Sequence, residues 1–127
     1  MSPGSKSDHP GFRKSFGFAL QGFRYTLATE RNIRVMLGGA AFAVVMGLVL
    51  QLDLISWAIV LLCIGVVLAA ELINTAIETV VDLVSPEYHP LAGHAKDIAA
   101  AAVYVLSILV ALVGLAVFAN ALIHRLA

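Results

Sequence analysis

Glu71, Asn74, Glu78 and Asp82 recur at spacings of three and four inside an otherwise apolar stretch. At about 100° per residue, these side chains and Thr75 fall within about 60° of Glu71 on one face of a helix. Leu72, Ile73, Ala76, Ile77, Val80 and Val81 cover the rest of it. A carboxylate in or near hydrocarbon costs a few kcal/mol even on lenient scales. Such a stripe therefore needs a cation, a metal, a proton or a polar substrate. Carboxylates close together with few cations nearby attract a divalent metal, and Mg²⁺ typically takes one or two of them alongside substrate phosphates. Glu30, Glu71, Glu78, Asp82 and Asp97 offer more carboxylates than a metal needs, which leaves one free as a base, and Lys96 suits a phosphate. His89 and His94 are four apart in a proline-broken stretch without a third ligand of the zinc type, and read as loop polar groups or nucleotide contacts. No serine–histidine–acid pattern, dinucleotide fingerprint or Walker lysine is visible.

The elements that position the stripe follow from composition. The chain has 127 residues, 61% of them hydrophobic and 13% charged, with mean hydropathy +0.95. One short chain cannot hide that much apolar side chain in a core of its own, so an all-α integral membrane protein is expected. Residues 1–10 are polar, with Pro3, Gly4 and Pro10, and read as a disordered N-terminus; residues 11–127 form one membrane domain. Over 12–29, Phe12, Phe16, Leu20, Phe23 and Leu27 make an aromatic stripe beside Arg13, Lys14, Gln21 and Arg24, the pattern of an amphipathic surface helix. Spans are expected at about 35–50, 54–84 and 95–123. Gly38, Gly39, Ala40, Ala41, Ala43 and Gly47 give the first a small-residue face for close contact. Gln51-Leu-Asp53 makes a tight turn, with Asp53 as N-cap of the second span and Trp57 near its outer end as an interfacial anchor. Cys63 has no partner and reads as a buried small hydrophobe. Ser85 to His94 reads as a loop.

Six of the eight Lys and Arg residues precede the first span, which puts the N-terminus in the cytoplasm and, after three spans, the C-terminus outside. Glu30, the Glu71 stripe and Lys96-Asp97 then meet at the cytoplasmic membrane boundary. No cleavable signal peptide is apparent. Zero net charge decides nothing about nucleic acid. From the residues alone, three functions stay open: a membrane phosphotransferase, a proton- or cation-coupled transporter subunit using Glu71, and a scaffold whose polar stripe is structural.

The segment Glu71-Leu-Ile-Asn-Thr-Ala-Ile-Glu-Thr-Val-Val-Asp82 resembles the signature of the bacterial integral-membrane diacylglycerol kinase family. Glu87-Tyr-His-Pro-Leu-Ala and Ala95-Lys-Asp-Ile-Ala-Ala-Ala-Ala-Val resemble the two segments that follow it there, and Thr29-Glu-Arg-Asn the acidic joint before the first span. The likeness covers roughly residues 12 to 120 and is strongest to the Gram-positive branch, chiefly undecaprenol kinases. It implies a homotrimer in a bacterial plasma membrane, with sites between neighbouring subunits, ATP-Mg²⁺ as phosphoryl donor, a lipid alcohol as acceptor and no nucleic acid partner. The acceptor it favours is undecaprenol, with diacylglycerol as the alternative. By position, the resemblance makes Glu71 the general base, Glu30 and Glu78 the Mg²⁺ ligands, and Asn74 and Asp82 supporting residues. Glu30 and Glu78 would also bind ATP, with Phe18, Glu87, Tyr88, His89, Lys96 and Asp97; Arg24 and Arg34 would lie near the lipid or the phosphates. Relatives often carry tyrosine where this chain has Phe18, so a hydroxyl is lost beside the nucleotide while stacking is kept.

Overall fold

A computed structural model describes residues 11–127; the expected disordered N-terminus lies outside the described residues. They form four helices and no strand: α1 (Phe12–Thr29), α2 (Arg31–Val49), α3 (Leu54–Val84) and α4 (Pro90–Leu126). The last three are long and apolar enough to cross a membrane.

Two boundaries differ from the sequence reading, each for a local reason. The first span begins at Arg31 rather than near Val35, because only Glu30, with extended backbone, interrupts the helical path between α1 and α2. The added turn makes it 19 residues long, or roughly 28 Å, close to the ~30 Å hydrocarbon core. The last helix begins at Pro90 rather than Ala95. Proline is well suited to a helix's first turn, where its missing N–H is no loss, and His89 Nδ1 accepts from the Leu91 N–H (3.1 Å) as the cap. His94 is therefore helical rather than part of a loop.

The turn between α2 and α3 is tight. Gln51 takes a left-handed φ of 53°, which lets the Leu52 N–H reach the Gly47 carbonyl (3.1 Å), the closing bond of a Schellman-type helix end. Asp53 then caps α3, accepting from the Ser56 N–H at 2.7 Å. Gly47 is where a small residue is needed, since a Cβ there would lie 2.7 Å from the Trp57 ring. Trp57 thus packs back onto α2 and does not simply mark an interface. Gly38 and Gly39 face open space in the single chain. At the far side of this turn Arg125 Nη1 donates to Gln51 Oε1 (3.4 Å), tying the end of α4 to it.

α3 and α4 pack most extensively, antiparallel, with α2 against α3. The apolar interior is small: Ile33, Leu52, Val60, Ala99 and Val103. Most large aliphatic side chains of the spans are exposed. Water would not tolerate that surface, whereas lipid and neighbouring helices would. Cys63 is half-exposed rather than buried, on the wall of an apolar groove of about 240 Å³.

Candidate active site

α3 is 31 residues long, roughly 46 Å, and about 20 residues suffice to cross the core. Counted from Leu54, the crossing ends near Asn74, so the polar stripe begins where the hydrocarbon ends. Its first members are the most enclosed. Glu71 is 1% exposed, Thr75 4% and Asn74 8%. Thr75 Oγ1 donates to the Glu71 carbonyl (3.0 Å) and Thr79 Oγ1 to that of Thr75 (2.8 Å). These bonds satisfy the hydroxyls within the helix and leave the carboxylates free of them.

Asn74 Nδ2 donates to Glu78 Oε1 (3.3 Å), which fixes the amide against the second glutamate. Two buried oxygens have no partner: Glu71 Oε2 and Asn74 Oδ1. An unpaired buried acceptor is costly, and here both belong to residues on the wall of one cavity of about 200 Å³. Asn74 thus links Glu78 to the Glu71 face of α3, while no three acidic side chains draw together into one metal-binding cluster among the described residues. Glu30 is half-buried in the bend between α1 and α2. The i,i+4 spacing would allow an ion pair with Arg34, but Arg34 Nη1 points back to the Leu27 carbonyl (3.5 Å). Among the described residues, Glu30 has no ion pair.

Asp82, farther along α3, is largely exposed and pairs with Lys96 of α4. Asp97 is exposed beside it. In the connection between α3 and α4, Glu87 lends its carbonyl to Ser85 Oγ (2.8 Å), Tyr88 is 89% exposed, and His89 caps α4. Phe18 is half-buried on α1, while Arg24 and Arg34 are exposed. Glu71, Asn74 and Glu78 thus form a compact group on α3, with Glu30 in the bend between α1 and α2, and the residues from Glu87 to Asp97 form an open ledge toward the connection between α3 and α4.

The cavity also has members the sequence reading did not assign. Asn32, Tyr104 and Ser107 line it with Glu71 and Asn74. Asn32 stands inside the Thr29-Glu-Arg-Asn segment and was legible there. Tyr104 and Ser107 follow Ala100 and Val103 at helical spacing, a polar interruption of an apolar face that could have drawn notice.

A buried carboxylate with a second about two turns along the same face of a helix long enough to cross a membrane suits either ion passage or group transfer. Comparison with known proteins separates these. The prokaryotic diacylglycerol kinase family profile matches residues 17–118, most of the chain. The chain belongs to this family. It is a lipid kinase and a multi-pass membrane enzyme, which sets aside the transporter and scaffold readings. Undecaprenol kinase of Bacillus subtilis is 42% identical over 107 residues, covering 84% of this chain and 87% of that protein. Diacylglycerol kinase of Escherichia coli is 35% identical over 100 residues, 79% of this chain and 81% of the relative. A diacylglycerol kinase of Synechocystis is 40% identical over 106 residues, with the match spanning 61% of its length.

Proposed function

We propose that this lipid kinase transfers the γ-phosphoryl group of ATP to undecaprenol, with diacylglycerol as the alternative acceptor, and that it works as a homotrimer with sites completed by neighbouring subunits. One observation carries the reading: Glu71 is buried, has an oxygen without a partner, and lines a cavity that shares Met36 with the apolar groove. A carboxylate acceptor for a hydroxyl proton therefore adjoins a channel of hydrocarbon side chains. The groove supports a long hydrocarbon tail, and the 42% identity to a relative named undecaprenol kinase supports a polyprenol.

In the proposed reaction, Glu71 Oε2 takes the proton of the lipid hydroxyl. The lipid oxygen bonds to the γ-phosphorus as the bond from that phosphorus to the β–γ bridging oxygen breaks, and ADP leaves. Such a transfer asks the protein mainly for alignment and charge neutralisation. Glu78 is held by Asn74, and its other oxygen remains for a ligand. Glu30 and Glu78 would hold Mg²⁺, with Asn74 Oδ1 a further oxygen in reach of the same group. No cluster of three His, Cys, Asp or Glu ligands occurs among the described residues, and none is needed where phosphate oxygens complete the sphere. Bound there, Mg²⁺ supplies neutralisation of the phosphates' charge.

Lys96 and Asp97, with Phe18, Glu87, Tyr88 and His89, would contact ATP from the cytoplasmic ledge, and Asp82 would hold Lys96 in place until phosphate arrives. Arg24 and Arg34 would face the lipid headgroup region or the phosphates. The N-terminus lies in the cytoplasm and the C-terminus outside, with α1 along the membrane surface. The exposed aliphatic flanks and the open Gly38-Gly39 face support the trimer. The test is purified protein in mixed micelles with labelled ATP, Mg²⁺ and either undecaprenol or diacylglycerol. Label transferred to undecaprenol in preference to diacylglycerol supports the proposal; label in neither lipid overturns it.

A further inference from the structure

The Lys96–Asp82 ion pair marks the register of two antiparallel helices. Eleven residues back along α3 from Asp82 stands Glu71, and eleven residues on along α4 from Lys96 stands Ser107. At about 1.5 Å per residue, each lies roughly 16 Å from the pair, and so at one depth. The cavity agrees with this register, since Glu71 and Ser107 line it from opposite helices. Ser107 is half-buried. It does not serve Glu71 directly, because Glu71 Oε2 has no hydrogen-bond partner. Two polar groups of complementary character, one accepting and one able to donate, thus line the space between the helices at one level. Beyond them, Val110, Val113 and Gly114 continue α4 along the apolar groove.

We propose that Ser107 is the second contact of the acceptor's hydroxyl group: its Oγ–H donates to the lipid oxygen while the lipid's own proton points to Glu71 Oε2. The proposal rests on Glu71 as the base. With one lone pair engaged by Ser107 and the proton engaged by Glu71, the remaining lone pair of the lipid oxygen is aimed by two fixed points on different helices. Ser107 loses no proton and forms no covalent bond. It sets how deep the oxygen sits, at the level of the carboxylate, and the substrate class it fits is a primary alcohol on a hydrocarbon tail that descends into the groove.

The test uses the full-length protein in mixed micelles with ATP, Mg²⁺ and undecaprenol, comparing wild type with Ser107→Ala and Ser107→Thr. The loss of one neutral hydrogen bond is a roughly fivefold effect. Ser107→Ala is expected to raise the KM for undecaprenol about fivefold with the KM for ATP unchanged, and Ser107→Thr, which keeps the hydroxyl, to stay within about twofold of wild type. An unchanged lipid KM in Ser107→Ala overturns the proposal. So does an equal rise in both KM values, or a Ser107→Thr protein as impaired as Ser107→Ala. If wild type phosphorylates neither undecaprenol nor diacylglycerol, the reading of Glu71 falls, and this proposal with it; that failure is recognised because it appears before any substitution.

Discussion

Replacing Glu71 with glutamine separates the chemistry of this site from its architecture. The side chain is almost wholly enclosed, and one carboxylate oxygen has no partner in the chain. Glutamine keeps the shape and removes both the charge and the ability to take a proton. Loss of a general base costs typically 10²- to 10⁴-fold in rate, or about 3–5.5 kcal/mol of transition-state stabilisation. Stability should move far less. Glu71→Gln removes an uncompensated charge near hydrocarbon, which is favourable, and introduces an amide whose N–H groups need partners, at about 1–3 kcal/mol. These terms oppose each other, so Tm in detergent should stay within a few degrees of wild type. Glu71→Asp is the companion. It keeps the carboxylate but withdraws it by one methylene, and a displacement of about 1 Å is enough for a hundredfold loss. The assay is lipid phosphorylation in mixed micelles with kcat and KM read separately, alongside a thermal melt. A Glu71→Gln protein within about threefold of wild-type kcat would refute the base assignment. A protein that loses activity only because it no longer folds would refute the claim that burial of Glu71 serves the reaction and not the helix packing.

Glu30→Gln and Glu78→Gln should each raise the Mg²⁺ concentration for half-maximal activity and weaken ATP use with it; wild-type Mg²⁺ titrations for both would dismiss them as ligands. Gly47→Ala forces a methyl group to within 2.7 Å of the Trp57 ring, an overpacking cost of about 1–3 kcal/mol, so Tm should drop while kcat of the folded protein holds, because the clash lies at the end of α2 away from Glu71. Hydrogen bonds from Ser56, through its side chain and then its backbone N–H, hold the Asp53 carboxyl below its ordinary value of 3.8. That contribution is present above the unfolded value and is lost as pH falls through the lower folded one, so below about pH 4 the wild-type Tm should fall more steeply than that of Asp53→Asn, in which a neutral side chain still caps; parallel curves for the two proteins would contradict this.

What could be read from the sequence was what short range decides. The 3.6-residue period placed Glu71, Asn74 and Glu78 on one face, and the Asp53 cap needs only its own next three residues. The proline at 90 misled because proline both stops and starts helices, and only the direction of the following chain tells which. Ser107 and Tyr104 escaped for a different reason. As polar interruptions of an apolar face they are visible in the sequence, but their relation to Glu71 exists only once two helices have docked in a given register, and the ion pair that marks it joins residues on opposite sides of a loop. The groove shared through Met36 is likewise a property of three helices together.

That ion pair also divides the chain by its tolerance of changed length. Between Asp82 and Lys96 the connection includes an open stretch at residues 85–89, where an added residue can be taken up without moving either anchor. An added residue between Lys96 and Ser107 instead slides everything beyond it by about 1.5 Å and turns it by about 100°, so that Ser107 swings off the cavity wall and a neighbour of it takes its place. The two helices work as the scales of a vernier. Their reading is taken at the ion pair, and an insertion within either of the matched eleven-residue intervals displaces the side chains beyond it relative to each other, whereas one in the loop leaves them aligned.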